Sequence, residues 1–297
     1  MRTARILTVL NGVGLQRDTA IVKELLVAAG IEVYVTDIYK NVDHRHVDIN
    51  IHLEIVSRKF LHKAHQNWLI PNPEWFQGNW VKDLKYFNKV LCKTHDAEDI
   101  FKRLGCKTVY TSFTSEDRRV DGCKKQRVFF HNQGKSDAKN TDAVLGCWRR
   151  FVPPATCVVV GRRMVGGITN VHHAGYMNED DFRMLQNTCM FHLCPSQYEG
   201  FGHYIWEALS CGNVVVTTDA EPMNEFIRPG FGLLVKADDF HMQNLGKMWH
   251  VSPANIHAAV TQVLKMKQTQ IDDMGALARE AWESNDKFFK ERFLNAV

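Results

Sequence analysis

Short β-rich apolar runs alternate with segments of helical period from one end of the chain to the other. Ile6 to Leu10 reads as a strand, Ala20 to Ala29 as a helix and Glu32 to Asp37 as a second strand. An apolar run bounded by turn formers is strand-like, whereas recurrence of apolar positions at three and four residues marks one face of a helix. Strands at Asp48 to Ile55, Lys89 to Cys92 and Thr108 to Tyr110 follow, with a helix over Ala97 to Leu104. This order is the grammar of a parallel sheet covered by helices.

Around Phe113 to Lys125 the pattern lapses into charge, Ser and Gly, the composition of a linker. The alternation then restarts, with strands at Arg127 to His131, Thr156 to Val160, Met190 to Cys194 and Asn213 to Thr217. Helices fall near Asn140 to Arg149, Asp180 to Asn187 and Tyr204 to Ser210, and Pro253 to Met266 and Ile271 to Phe293 are helical in period. The expected organisation is a first α/β domain over residues 1–118, a second over 119–278, and a helix over 279–297 that returns to the first. Two such domains turn the carboxyl ends of their strands towards a cleft, where ligands of open α/β sheets bind.

Composition narrows the class without deciding it. Of 297 residues, 45% are hydrophobic and 24% charged, which places the chain among globular proteins rather than disordered ones. A net charge of +4 is too small to argue for nucleic acid as a partner. The run Ile6 to Leu10 is shorter than a secretory core or a membrane span, so neither export nor insertion is expected. Eight cysteines lie scattered in apolar segments without a Cys-x-x-Cys pair, which reads as reduced, mostly buried thiols and a cytoplasmic location.

Two tempting motifs fail. Gly12-Val13-Gly14-Leu15-Gln16-Arg17, with Asp37 at the end of the second strand, imitates a dinucleotide fingerprint, but Arg17 stands where the third glycine is needed. Gly12 and Gly14 are then a tight strand-to-helix turn, a ligand loop, or both. Gly134-Lys135-Ser136 imitates the end of a Walker loop, but Phe129 occupies the position of its first glycine. What remains is a strand end with Lys135 and Lys139 beside a helix start, a setting that favours phosphate.

The informative stretch runs from Leu193 to Thr217 and contains Pro195-Ser196-Gln197-Tyr198-Glu199-Gly200-Phe201-Gly202, with Glu207 eight positions after Glu199. Gly200 and Gly202 let the main chain approach a sugar, and carboxylates accept paired hydrogen bonds from vicinal diols. A ligand with two polyol rings joined by pyrophosphate suits such a constellation. This segment resembles the signature of retaining GT-B glycosyltransferases of the family 4 (group 1) type, and Phe130 to Trp148 resembles that family's pyrophosphate turn.

The resemblance implies two Rossmann-like domains facing a cleft, with the C-terminal helix returning to the first domain. It implies transfer of a sugar from a nucleoside-diphosphate sugar to a glycan, glycoprotein or lipid acceptor, with retention. By the same resemblance Glu199 contacts the donor sugar, Glu207 the ribose, and Lys135 and Lys139 the pyrophosphate; Lys135 stands where arginine is common, which forfeits a bidentate fork. Gly12, Gly14, Gly200, Phe201 and Gly202 complete the donor side, although Phe201 also reads as core packing. Glu199 and Lys139 are the residues expected nearest the chemistry.

Neither an Asp-x-Asp triplet nor a helical His-x-x-x-His pair occurs, so no metal and no further cofactor is expected. On the acceptor side His44, His46, Glu74 and His95 are candidates, because binding residues gather on loops over a fixed scaffold. The basic, aromatic stretch Ser57 to Trp68 reads first as a solvated amphipathic helix and second as a peripheral membrane contact. Two rival functions stand beside the transferase, an inert sugar-nucleotide-binding protein that keeps the fold and an NAD-dependent oxidoreductase.

Overall fold

The computed structural model describes residues 2–9, 14–40, 43, 45–162, 166–228 and 230–297. The chain divides into two units, one of Met1–Thr114, Met242–Gly246 and Asn285–Val297, the other of Ser115–His241 and Lys247–Ser284.

The first unit follows the expected alternation: β1 (Thr3–Thr8), α1 (Gly14–Ala28), β2 (Glu32–Asp37), β3 (Val47–Leu53), β4 (Ala64–Ile70), β5 (Lys89–Cys92), α2 (His95–Arg103) and β6 (Thr108–Tyr110). The strands pair in parallel in the order β2-β1-β3-β4-β5-β6, so the winding reverses between β1 and β3. Ala4, Ile6, Leu7, Ile49 and Ile51 are fully buried, and so are Arg5, Asn50 and His52 among them, Arg5 Nη1 donating to Asn50 Oδ1 at 3.2 Å. α2 begins where Thr94 Oγ1 accepts from the Ala97 amide at 3.1 Å, with Asp96 and Glu98 in the first turn and Lys102 and Arg103 in the last.

Residues 57–68 are not an amphipathic helix. A 3-10 turn over Arg58–Phe60 leads into β4. Arg58, Lys59, His62 and His65 are exposed, whereas Asn67 is buried and satisfied inside the sheet. Asn67 Nδ2 donates to the Leu61 carbonyl at 2.8 Å, and Asn50 Nδ2 donates to Asn67 Oδ1 at 3.2 Å.

The second unit contains β7 (Gln126–Gly134), α3 (Thr141–Phe151), β8 (Cys157–Gly161), β9 (Val171–His173), α4 (Glu179–Thr188), β10 (Cys189–Cys194), α5 (His203–Ser210), β11 (Val214–Asp219), α6 (Met223–Phe226) and β12 (Gly232–Lys236). Its sheet is parallel in the order β12-β11-β10-β7-β8-β9, which places the reversal between β7 and β10. The core on one face joins Phe129, Trp148, Phe191 and Val216 to Ile256 and Val260.

A hairpin of β13 (Phe240–Gln243) and β14 (Gly246–Trp249) precedes α7 (Pro253–Leu264) and α8 (Gln268–Ala296). The hairpin tip belongs to the first unit, where the Leu245 amide donates to the Pro73 carbonyl at 3.1 Å. The last part of α8 belongs there too. Ser112 Oγ donates to Asn285 Oδ1 at 2.6 Å and Thr114 Oγ1 to Asp286 Oδ1 at 2.8 Å. The stretch from Phe113 to Lys125, linker-like by composition, is buried at Phe113, Thr114, Ser115 and Arg118. Two α/β units with parallel six-stranded sheets and a long C-terminal helix are the fold class that the sequence implied.

Candidate active site

Both expected site segments leave the sheet at its reversal point, the place where open α/β sheets bind ligands. After Gly134 ends β7, Ser136 Oγ accepts from the Ala138 amide at 3.2 Å and closes a 3-10 turn over Asp137–Lys139. Asn140 takes a left-handed conformation, φ 59°, and α3 starts at Thr141. The loop after β10 is tied to this turn, because the Gln197 amide donates to the Ala138 carbonyl at 2.8 Å. Thr218 Oγ1 anchors the same loop through the Ser196 carbonyl at 2.6 Å.

His131 supports the two loops from below. Its Nδ1 lies 2.9 Å from the Leu193 carbonyl, which can only accept, so Nδ1 carries the proton. Nε2 then accepts from Thr141 Oγ1 at 2.9 Å. Burial pushes the pKa of this imidazole down to about 4, with Lys139 pushing the same way, so the ring is neutral near pH 7.

Lys139 Nζ donates to Glu199 Oε1 at 2.5 Å, and Ser196 Oγ donates to the same oxygen at 2.5 Å. Ser196 has one proton and gives it to Glu199, so the short contact between Ser196 Oγ and the Tyr204 hydroxyl is a donation from the phenol. The Lys139 ammonium also lies 3.8 Å from the centroid of the Tyr204 ring, within cation–π range. Glu199 is thus held by an ammonium and by a hydroxyl relay from the first turn of α5.

Gly202 makes the helix start possible at φ 76°, and its carbonyl accepts from the Ile205 amide at 2.9 Å. Phe201 stacks parallel to Trp206 with ring centroids 5.7 Å apart and is buried beside Phe226, so it packs the loop onto α5. Gly200 is buried next to it.

Lys135 follows the end of β7 at Gly134. It lines a cavity of about 520 Å³ together with Gln133, Asn140, Thr141, Arg162 and Gln197. Lys135 and Arg162, the carboxylates of Asp137 and Asp142, and the amino end of α3 border it. Gly161 is required beside this cavity, since a Cβ would lie 2.1 Å from Gln133 Oε1.

Glu207 lies one turn into α5 and is 2% exposed. Its Oε2 accepts from Gln186 Nε2 at 3.0 Å, and Gln186 Oε1 in turn accepts from Arg118 Nε at 2.9 Å. Neither Gln186 nor Arg118 stood out in the sequence, and nor did Ser196, Tyr204, His131 or Arg162 as site residues. Their importance lies in tertiary partners that no local spacing announces.

In the first unit Gly14 opens α1, while Gly12 and His44 lie outside the described residues. His46 meets His65 edge-on at 4.7 Å. His95, at the start of α2, stacks on Tyr110 at 3.8 Å. Glu74 is buried, and its carbonyl accepts from Asn244 Nδ2 at 2.7 Å.

A group that sequence reasoning missed is Lys93, 2% exposed at the end of β5, which donates to Asp18 Oδ2 at 2.5 Å and to Glu54 Oε1 at 3.0 Å. Burial lowers the pKa of an isolated ammonium, but the two carboxylates outweigh it and raise this one. All eight cysteines are free thiols, and six are buried. Among the described residues no three His, Cys, Asp or Glu side chains gather as a metal site, and no helix is long and apolar enough to cross a membrane.

Residues 117–245 match the family model of glycosyl transferases group 1. The match spans β7 to β12, and so takes in Lys135, Lys139, Glu199 and Glu207. Solved structures share the fold over the whole chain. Sucrose-phosphate synthase from Thermosynechococcus elongatus superposes with a TM-score of 0.74 at 12% identity, covering 100% of this chain and 99% of that one. Anabaena HepE in complex with UDP-glucose gives 0.69 at 16% identity, with full coverage of both. The pneumococcal O-GlcNAc transferase GtfA in complex with UDP and GlcNAc gives 0.64 at 13% identity over 84% of this chain, which spans only 56% of GtfA. Comparison with curated proteins gives no match.

Proposed function

We propose that this protein transfers a sugar from a nucleoside-diphosphate sugar to a hydroxyl acceptor, without a metal ion and with retention of anomeric configuration. The observation that carries the reading is the contact of Lys139 with Glu199 at 2.5 Å, at the carboxyl ends of β7 and β10. The bond to be broken joins a sugar carbon to a phosphate oxygen. A cation suited to the phosphate and a carboxylate suited to sugar hydroxyls therefore belong side by side.

Departure of the nucleoside diphosphate builds negative charge on the β-phosphate. Lys139, Lys135, Arg162 and the amides at the start of α3 oppose that charge, and fixed donors need no reorganisation as it develops. Glu199 orients the donor sugar through its hydroxyls, and Glu207 takes the ribose. Neutral His131 fixes the separation of the two loops. A glycan, glycoprotein or lipid is the acceptor class, with His46, His95 and Glu74 on its side and a cytoplasmic setting.

The solved structures of HepE and GtfA contain UDP with a sugar, so a UDP-sugar is the donor class to test first. Calorimetry of UDP with the purified protein, in the presence and absence of a chelator, tests the metal-free reading. Equal affinity in both is expected, and loss of binding in chelator overturns it. Proton NMR of the first-formed product, read at the anomeric centre, tests retention.

A further inference from the structure

A carboxylate recognises a vicinal diol well only when its plane is fixed, and two residues outside the site loops fix that of Glu207. Gln186, in the last turn of α4, is 1% exposed and donates from Nε2 to Glu207 Oε2 at 3.0 Å. A primary amide can offer either its oxygen or its nitrogen to a neighbour. Arginine settles which, because it has donors only. Arg118 Nε at 2.9 Å draws the Gln186 oxygen, and so turns the nitrogen towards Glu207.

Arg118 is itself held on several sides. Its amide donates to Ser210 Oγ at 2.9 Å, and its carbonyl accepts from Asn187 Nδ2 at 2.8 Å and Arg183 Nε at 3.1 Å. Nη1 pairs with Glu179 and, at 3.2 Å, with Glu116. The Phe182 ring lies 5.8 Å from Cζ. Such a guanidinium has little freedom to release Gln186, and the amide orientation is fixed with it.

We propose that Arg118 and Gln186 are positioning residues for ribose recognition, acting through Glu207 along the relay Arg118 Nε to Gln186 to Glu207. The inference rests on Glu207 being the ribose contact. It assigns a function to the charged stretch near residue 118, whose composition reads only as a linker.

The test is the ratio of calorimetric affinities for UDP and 2′,3′-dideoxy-UDP, measured on the same sample so that any unfolded fraction cancels. The unaltered protein is expected to favour UDP by about tenfold or more, tenfold being about 1.4 kcal/mol. Glu207→Gln brings the ratio close to one. Gln186→Met, of similar volume and without the amide, lowers it several-fold, as does Arg118→Met. Arg118→Lys, which keeps a donor, retains more of it. Should Arg118→Met fail to fold, Gln186→Met and Arg118→Lys carry the test.

A merely structural role would change melting temperature and leave the ratio alone. If Glu207→Gln abolishes the preference while Gln186→Met retains it in full, the relay is overturned and the ribose reading stands. If Glu207→Gln itself leaves the preference intact, the ribose reading fails first.

Discussion

Lys139 and Glu199, separated by 60 positions in the chain, form an ion pair of 2.5 Å between the turn after β7 and the loop after β10. Their side chains are 19% and 11% exposed, so the pair lies largely out of water. Ser196 and Tyr204 hold the carboxylate, and the Tyr204 ring lies against the ammonium. A donor phosphate would compete with Glu199 for Lys139, and the consequences can be measured.

Replacing Lys139 by Met should weaken nucleoside diphosphate far more than nucleoside, because only the former carries a β-phosphate. A lost charge-assisted hydrogen bond is worth roughly 1.5–3 kcal/mol. Calorimetry with UDP and uridine reads the difference. Equal losses for the two would place Lys139 away from the phosphate.

Gly202→Ala should destabilise the protein and impair donor use together. At φ 76° an L residue is strained by roughly 1–2 kcal/mol. The added Cβ would also lie 3.1 Å from Ile205 Cδ1 and 3.5 Å from Glu199 Cγ. Denaturant melts report the first effect and KM for the donor the second. An unchanged KM would separate this glycine from the sugar site.

Lys93→Met should cost about 3–5 kcal/mol, since it leaves the carboxylates of Asp18 and Glu54 buried without their ammonium. Urea unfolding of the variant checks this. A loss below about 1 kcal/mol would mean that the two carboxylates protonate or find other partners at little cost.

How much of this was legible in the sequence depended on how local the cause was. β2, β5 and β6 are plain in their β-branched and aromatic runs, and the observed bounds are those expected. β4 was hidden because Asn67, polar and therefore outward by pattern, is satisfied inside the sheet by Asn50 and the Leu61 carbonyl. The hairpin of β13 and β14 gave no clear alternation to read. Glu199, Gly200 and Gly202 announce themselves because glycine spacing and a carboxylate are a local pattern. Arg118 and Gln186 do not, since 68 positions separate them and only the folded sheet brings them together. Lys135 and Lys139 read as one pair in sequence, yet one lines the cavity beside α3 and the other meets Glu199.

Acid should destabilise the fold through three buried histidines. Burial lowers the pKa of His52 to about 3 and those of His131 and His192 to about 4. The unfolded chain takes up these protons near pH 6.5 and the folded one does not, so stability is complete above about 6.5 and falls as pH drops towards 4. Each histidine contributes roughly 1.4 kcal/mol per pH unit across that window. Urea melts at pH 7, 6 and 5 follow it, and His192→Asn should flatten the slope. Stability unchanged from pH 7 to 5 would mean that these rings are reached by water.

The central claim is that Glu199 meets the transferred sugar, and the most direct measurement compares turnover with product affinity in Glu199→Gln. An interaction made mainly in the transition state lowers the rate constant while leaving ground-state affinity in place, about tenfold for each 1.4 kcal/mol. Consumption of a UDP-sugar donor by the variant should fall by roughly ten- to a hundredfold, the range for a lost hydrogen bond to a charged group. Calorimetric affinity for bare UDP should stay within about twofold, much less than the 1.4 kcal/mol that a tenfold change represents. Loss of UDP affinity, or undiminished turnover, would contradict the account.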